Sequence, residues 1–235
     1  YCANPKLVGM LERMGGLERV VYSTDDIPAD GVNILGFDVP HVLHAAQSQS
    51  QPVQLWGVDW PSPPWAPLPP PSVSITPARD KVEAMHAQLM LAGPPPYLGI
   101  TWRGGTAPDK QRGAVWKLYK EVPIAELGST LKHWRGTFIA MQRQPAEGEL
   151  AAMQAALGAP LKDFTAVNED LEQMLALLAL IDEYVGVSNT NMHLRAAAGK
   201  TARVLVPCPA EWRWMGAGAS PWFPGFGVYR QDTAG

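Results

Sequence analysis

The segment YVGVSNTNMHLRAAAGK, residues 184–200, restricts the fold more than any other stretch of the chain. Tyr184 to Ser188 reads as a buried strand. Ser188, Asn189, Thr190 and Asn191 make a short polar turn. A helix of small residues follows, with His193 just inside it, and Gly199 stops it. The next segment, ARVLVP (202–207), is a second strand. Parallel strands need a crossover of this kind, so the pattern is a β-α-β unit. The first N–H groups of a helix lack partners, and the helix dipole is positive there. Hydroxyls, amides and N–H groups gathered at this turn therefore suit an anion.

The same alternation runs upstream. YLGIT (97–101) is a strand, 123–134 a helix and GTFIAMQ (136–142) a strand. Residues 146–157 are a helix closed by Gly158, and 168–182 a strong helix introduced by Asn168, Glu169 and Asp170. This predicts an α/β domain with a parallel sheet and helices on both faces. Ligands in such sheets sit at the carboxyl ends of the strands. Before Tyr97 the pattern is thinner. Residues 4–15 read as a helix, 19–22 and 32–37 as short strands and 40–50 as helical. PSPPWAPLPPPS (61–72) is too proline-rich for helix or central strand. A helix over 77–92 ends at Gly93 and three prolines. The domains expected are 1–60, a partial N-terminal α/β domain; 61–96, a linker with a helix; and 97–235, the main domain. The abrupt start at Tyr1 reads as the interior of a longer protein.

With 235 residues the chain can bury a sizeable core. Its net charge of −3 gives no reason to expect nucleic acid or an anionic membrane surface as partner. The longest apolar stretch, LEQMLALLALI (171–181), is too short to span a bilayer. Cys2 and Cys208 can pair or stay free, and no His or Cys spacing marks a metal site. A cytoplasmic protein without metal is expected.

Each strand ends in polar residues. After the first come Thr101, Trp102, Arg103, Gly104 and Gly105. Glycine lets a ligand approach the backbone, and Arg103 can fork onto a phosphate or simply sit on a loop. Gln142 can meet a nucleobase or sugar, or cap the next helix. Lys120 lies before a helix start, where a bound anion or solvent would compensate its charge. Asn168 to Asp170 are a helix cap or, alternatively, a ribose contact. His193 can be structural or can carry a positive charge beside an anion. Trp212, Arg213, Trp214, Trp222, Phe223 and Phe226 can stack on a base or pack a seam. A nucleotide-linked ligand, with phosphates at the turn and a flat ring elsewhere, suits both features.

Strand, polar turn, HL, small residues and GK, then VLVP, EWRWM, SPWFP and YRQ, resemble the C-terminal half of glycosyltransferases of the GT-B fold. In particular they resemble the heptosyltransferase-like domain of bacterial tetratricopeptide-repeat proteins. The likeness covers about residues 97–231, and a weaker one extends over 1–60. Leu118-Tyr119-Lys120 also looks like a segment of O-GlcNAc transferases. The resemblance implies a Rossmann-type domain binding a nucleotide-sugar donor, with no other cofactor. Lys120 would meet the donor phosphates, Ser188 to His193 would be the phosphate loop and Gln142 would lie near the nucleotide. The site expected is thus Lys120 and His193 for catalysis, with Thr101, Arg103, Gly104, Gln142, Ser188, Asn189, Thr190, Asn191 and Trp212 for the donor. The heptosyltransferase pattern has Asp at the place of Ser188, so SNTNMH departs from it. The resemblance also implies a glycan or protein acceptor, a base from the N-terminal domain and a tetratricopeptide-repeat region in the full protein. Three functions are open: a metal-independent sugar transferase, a scaffold that keeps the fold without the activity, or a GT-B-like epimerase, which would need its own acid and base near the sugar.

Overall fold

The computed structural model describes residues 5–14, 20–21, 23–26, 52–55, 58–61, 74–104, 120–214, 218–220 and 222–232. The expected strand 32–37, the helix 40–50, nearly all of the proline-rich stretch 61–72 and the Leu118-Tyr119 part of the LYK segment lie outside these residues. A 3-10 turn, Pro5–Leu7, leads into α1 (Val8–Met14). An antiparallel hairpin pairs β1 (Pro52–Leu55) with β2 (Val58–Pro61). Then come α2 (Arg79–Ala92), β3 (Tyr97–Thr101), α3 (Ile124–Leu131), β4 (Thr137–Ala140), α4 (Glu149–Leu157) and β5 (Leu161–Asp163). The rest is α5 (Leu171–Leu180), β6 (Glu183–Val187), α6 (Thr190–Ala197), β7 (Arg203–Val206) and β8 (Gly227–Arg230).

Six strands form one parallel sheet in the order β5-β4-β3-β6-β7-β8. The chain runs outward from β3 to β5, returns beside β3 with β6, and then runs outward the other way. Strand order therefore reverses between β3 and β6, which opens a crevice at their carboxyl ends. All five residues of β3 are buried, as expected of a strand covered on both faces. Alternate side chains serve opposite faces. Leu98 and Ile100 join Phe138 and Val185 under α3 and α4. Tyr97, Ile139, Tyr184 and Val204 face α2, α5 and α6.

Most helices end within a residue of the expected place, but α3 stops at Leu131, before the expected 134, and α5 at Leu180, before the expected 182. The Asp170 carboxylate caps α5, accepting from the N–H groups of Glu172 (2.9 Å) and Gln173 (3.2 Å). Gly158 (φ 65°) and Gly199 (φ 70°) close α4 and α6 in the left-handed region. Three elements were not expected. β5 is a three-residue edge strand, β8 holds the half-exposed Tyr229, and the hairpin 52–61 stands outside the main sheet. Met10 of α1 and Met85 and Leu89 of α2 are buried in the same cluster as Leu175 and Leu178 of α5. Both helices, read as lying outside the main domain, help cover its sheet. Cys208 is a free, exposed thiol. Among the described residues no helix is long and apolar enough to cross a membrane.

Beneath the crevice, at the opposite end of the sheet, lies a buried cation. Arg195 of α6 is 2% exposed. Its Nε donates to the Thr201 carbonyl (2.8 Å), and its two terminal nitrogens donate to the carbonyls of Leu178, Ile181 (2.9 Å) and Asp182 (2.9 Å). Burial pushes its pKa down to about 10, opposed by Glu183 and Asp182. The side chain thus ties α6 to the end of α5 and to the loops entering β6 and β7. Arg195→Met keeps the length but orphans these carbonyls, so we expect a loss of about 3 kcal/mol or more in urea unfolding. A loss under about 1 kcal/mol would mean that solvent satisfies the carbonyls instead.

Candidate functional site

The crevice holds a cavity of about 320 Å³. Its walls come from the ends of β3 (Thr101, Arg103), β4 (Met141 to Arg143) and β6 with α6 (Ser188 to Asn191, His193), together with Lys120, Asn168, Glu211 and Arg213. Nine of the eleven residues expected from the sequence line it. The other two are Gly104 and Trp212. The side chain of Trp212 lies outside the described residues.

The floor is a closed ring of hydrogen bonds. The Asn189 Oδ1 caps α6 by accepting from the N–H of Asn191 (3.0 Å), which fixes which way the amide points. That oxygen also accepts from the Tyr184 hydroxyl (3.1 Å), and Asn189 Nδ2 donates to Thr101 Oγ1 (3.0 Å). Thr101 and Tyr184 lie 2.9 Å apart, and since the Tyr184 proton is engaged, Thr101 donates. Burial pushes the Tyr184 phenol up to about 12, opposed by its hydrogen bonds to Thr101 and Asn189. Gly186 makes this ring possible, because a Cβ there would lie 2.0 Å from Thr101 Oγ1.

The β3 end is positioned by Gln142 and by the segment 120–122, which forms an isolated antiparallel bridge with Arg103. Gln142 Oε1 accepts from the N–H groups of Trp102 and Arg103, both at 3.0 Å. Residues 120–122 run antiparallel to this loop: Gly104 N–H donates to the Lys120 carbonyl (2.8 Å) and Val122 N–H to that of Trp102 (2.8 Å). That pairing brings Lys120 to the cavity. Gly104 permits the fit, since a Cβ would approach the Ser188 carbonyl oxygen to 2.8 Å.

Charge is concentrated here. Arg103, Lys120, Arg143 and Arg213 line the cavity with a single carboxylate, Glu211, among the described residues. Lys120 Nζ donates to Glu211 Oε1 (3.0 Å), and Arg213 lies 3.8 Å from the same oxygen. Ser188 Oγ donates to Glu211 Oε2 (2.5 Å) and accepts from Trp214 Nε1 (2.9 Å). Burial raises the Glu211 pKa, but the Ser188 and Lys120 hydrogen bonds and the nearby cations outweigh it, leaving it below the usual range. The Arg103 guanidinium forks onto both oxygens of Glu149 (3.1 and 3.2 Å) and donates to the Gln144 carbonyl. Its fork is closed by protein and does not face the cavity as an open phosphate clamp. Arg143, by contrast, is exposed at the rim.

His193 differs from the expectation of a positive charge. Desolvation, then the charges of Arg213 and Lys120, push its pKa down to about 4 against the pull of Glu211. The residue keeps one exposed side toward solvent. One side of the ring meets Phe223 edge-on at 5.1 Å. The imidazole is therefore neutral near pH 7. The aromatic tail serves the core: Trp214 stacks on Phe223 at 4.7 Å, and Phe223 touches Phe226 at 5.2 Å. Asn168 anchors the β4 end through the carbonyls of Met141 (3.1 Å) and Thr165 (2.8 Å), while Asp170 caps. Among the described residues no three His, Cys, Asp or Glu side chains gather as a metal site would require.

Glu211, Arg213, Arg143 and Tyr184 were missed as site residues. For Glu211 and Arg143 a signal existed, because both follow the carboxyl end of a sheet strand.

Comparison with solved structures fits this architecture. The E. coli ADP-heptose LPS heptosyltransferase II matches at a TM-score of 0.50 and 17% identity, over 71% of this chain and 48% of that one. The fold is GT-B-like. The glycosyl transferase family 9 protein from Veillonella parvula DSM 2008 gives a TM-score of 0.48 at 12% identity, over 68% of this chain and 43% of that one. Protein FlbA of Caulobacter vibrioides is 25% identical over 152 residues, 64% of this chain and 24% of FlbA. The chain thus spans about a quarter of that relative and under half of each solved structure. No family model matches it.

Two measurements check this geometry. Tyr184→Phe opens the ring and should lower stability by about 1–2 kcal/mol in urea unfolding, whereas a neutral effect would mean that the ring is not formed. An NMR titration of His193 should show a pKa well below 6.5. The unfolded state then binds more protons across the window between about 4 and 6.5, so this group's contribution to stability falls as pH drops through it. A His193 pKa at or above 6.5 would contradict the electrostatics described.

Proposed function

We propose that this chain is the donor-binding part of a GT-B-type glycosyltransferase, which moves a sugar from a nucleotide-sugar to an acceptor hydroxyl without a metal. The observation that carries the reading is the cavity itself. It lies at the reversal of strand order, beside the N-terminus of α6, and among the described residues Lys120, Arg143 and Arg213 face it with one carboxylate, Glu211, while Arg103 in its wall is paired to Glu149. On a chain of net charge −3 that local excess of positive charge favours an anionic ligand.

In this reading the donor diphosphate lies against the first turn of α6 at Thr190, with Lys120 and Arg213 beside it. The acceptor oxygen bonds to the anomeric carbon as the bond from that carbon to the diphosphate breaks. The electron pair leaves with the diphosphate, and the acceptor's proton passes to a base on a facing domain. Lys120, Arg213 and the helix N-terminus act on the charge that develops on the leaving group, as preorganised donors do. Neutral His193 at the rim gains basicity as that charge gathers and can hydrogen-bond the departing phosphate. A tetratricopeptide-repeat region of the full protein, presenting a glycan or protein acceptor in the cytoplasm, belongs to the same reading.

A specific observation favours a second reading, a scaffold that has lost the activity. Lys120 and Ser188 both donate hydrogen bonds to Glu211, and Arg103 donates to Glu149. The cavity is in part neutralised from within.

Thermal unfolding with UDP, ADP and GDP and their sugars separates the two. One nucleotide should raise the melting temperature by mass action. Lys120→Ala should weaken that binding by about tenfold or more, the worth of a charge-assisted contact. It should also lower sugar transfer while the fold survives. No shift with any nucleotide would favour the scaffold, and transfer unchanged in Lys120→Ala would remove that residue from the mechanism.

A further inference from the structure

We propose that Glu211 is the resident counter-ion of this cavity, and that an anionic ligand binds by displacing its carboxylate from Lys120, Arg213 and Ser188. The inference rests on the anion-site reading above and deepens it.

Glu211 sits where a bound anion would gather its partners. One carboxylate oxygen faces Lys120 at 3.0 Å and Arg213 at 3.8 Å, and the other takes the Ser188 hydroxyl at 2.5 Å. These three groups come from three separate places, the segment 120–122 bridged to Arg103, the 3-10 turn Trp212–Trp214 and the end of β6. A single acceptor group unites them. The Lys120 and Glu211 side chains are each 15% exposed, so water screens the pair weakly. Two cations held close without that carboxylate would repel each other in a half-dry cavity.

The carboxylate is also free to leave. Glu211 belongs to the loop after β7, between the strand and the 3-10 turn. Its backbone is pinned, because the Trp214 N–H donates to its carbonyl at 2.8 Å. Its side chain can therefore swing about its own bonds without moving the loop. A diphosphate brings more charge and more acceptor oxygens than one carboxylate, so it can take over Lys120, Arg213 and Ser188 together. Trp214 would continue to donate to Ser188 Oγ and hold the hydroxyl in place.

The consequence has an unusual sign. Removing the charge of Glu211 removes a competitor, so Glu211→Gln should tighten binding of an anion where loss of an ordinary binding residue would weaken it. Calorimetric titration of the whole chain with inorganic pyrophosphate, then with UDP, ADP and GDP, tests this. We expect Glu211→Gln to bind pyrophosphate about tenfold more tightly than wild type and with a steeper loss of affinity as salt rises. Glu211→Asp, which keeps the charge, should stay near wild type. Should Glu211→Gln be less stable, its melting temperature must still rise more on adding pyrophosphate than that of wild type. Weaker or unchanged binding in Glu211→Gln would overturn the proposal. If wild type binds pyrophosphate and Lys120→Ala does not, that failure would leave the anion site standing. If neither wild type nor Glu211→Gln binds any of these ligands, both readings fall together.

Discussion

The geometry of the site depends on a cation buried at the far end of the sheet. Among the described residues no carboxylate is in hydrogen-bond contact with Arg195; it is held by carbonyl oxygens. Taking a guanidinium out of water is unfavourable by several kcal/mol in general. Two features offset it. The acceptors are charge-assisted, and those from Leu178 and Ile181 lie at the C-terminal end of α5, where the helix dipole is negative. Because Arg195 stands on the sixth position after the N-cap Asn189 of α6, the bond that holds the bottom of α6 also sets where its top points. The top is the cavity.

From that anchor the polar groups fall into two sets. Thr101, Tyr184 and Asn189 close a ring among themselves, and Gln142 holds the loop after β3. These groups answer the rule that buried polar atoms find partners, and they leave little capacity for a ligand. The second set, Lys120, Arg213, Ser188 and Glu211, is also satisfied, but by side-chain contacts on which no helix depends. In the displacement proposed above such an ion pair reopens, while the helix cap at Asn189 cannot be broken without unwinding the first turn of α6.

Much of the sheet was legible in the sequence. Continuous apolar runs at 97–101, 136–142 and 184–188 gave the central strands, and Gly158 and Gly199 gave helix ends, because those signals are local. β5 was not legible, since three residues with one buried flank carry no period. β8 was hidden for a related reason: GVYR follows an aromatic run whose Trp214, Phe223 and Phe226 can equally well read as a ligand platform. Their use in the core follows from which face of the sheet needs covering, a long-range fact. The site divides the same way. The turn 188–191 and His193 were readable as a strand running into a helix. That Arg103 would close on Glu149, or that Tyr184 would turn its hydroxyl beneath Asn189, depends on neighbours 46 and 5 positions away, and only the second lies within a local pattern.

The surroundings of Ser188 show why a motif can mislead about charge. Read along the sequence, the turn 188–191 carries hydroxyls and amides and no acid. In space an acid stands beside it. Glu211, on the loop after the neighbouring strand, brings its carboxylate to the Ser188 hydroxyl and to Lys120. Adjacent parallel strands end at the same edge of the sheet about 5 Å apart, so a side chain the length of Glu can reach across from one to the other. What the lysine responds to is the position of a negative charge, and a parallel sheet offers more than one residue number from which to supply it.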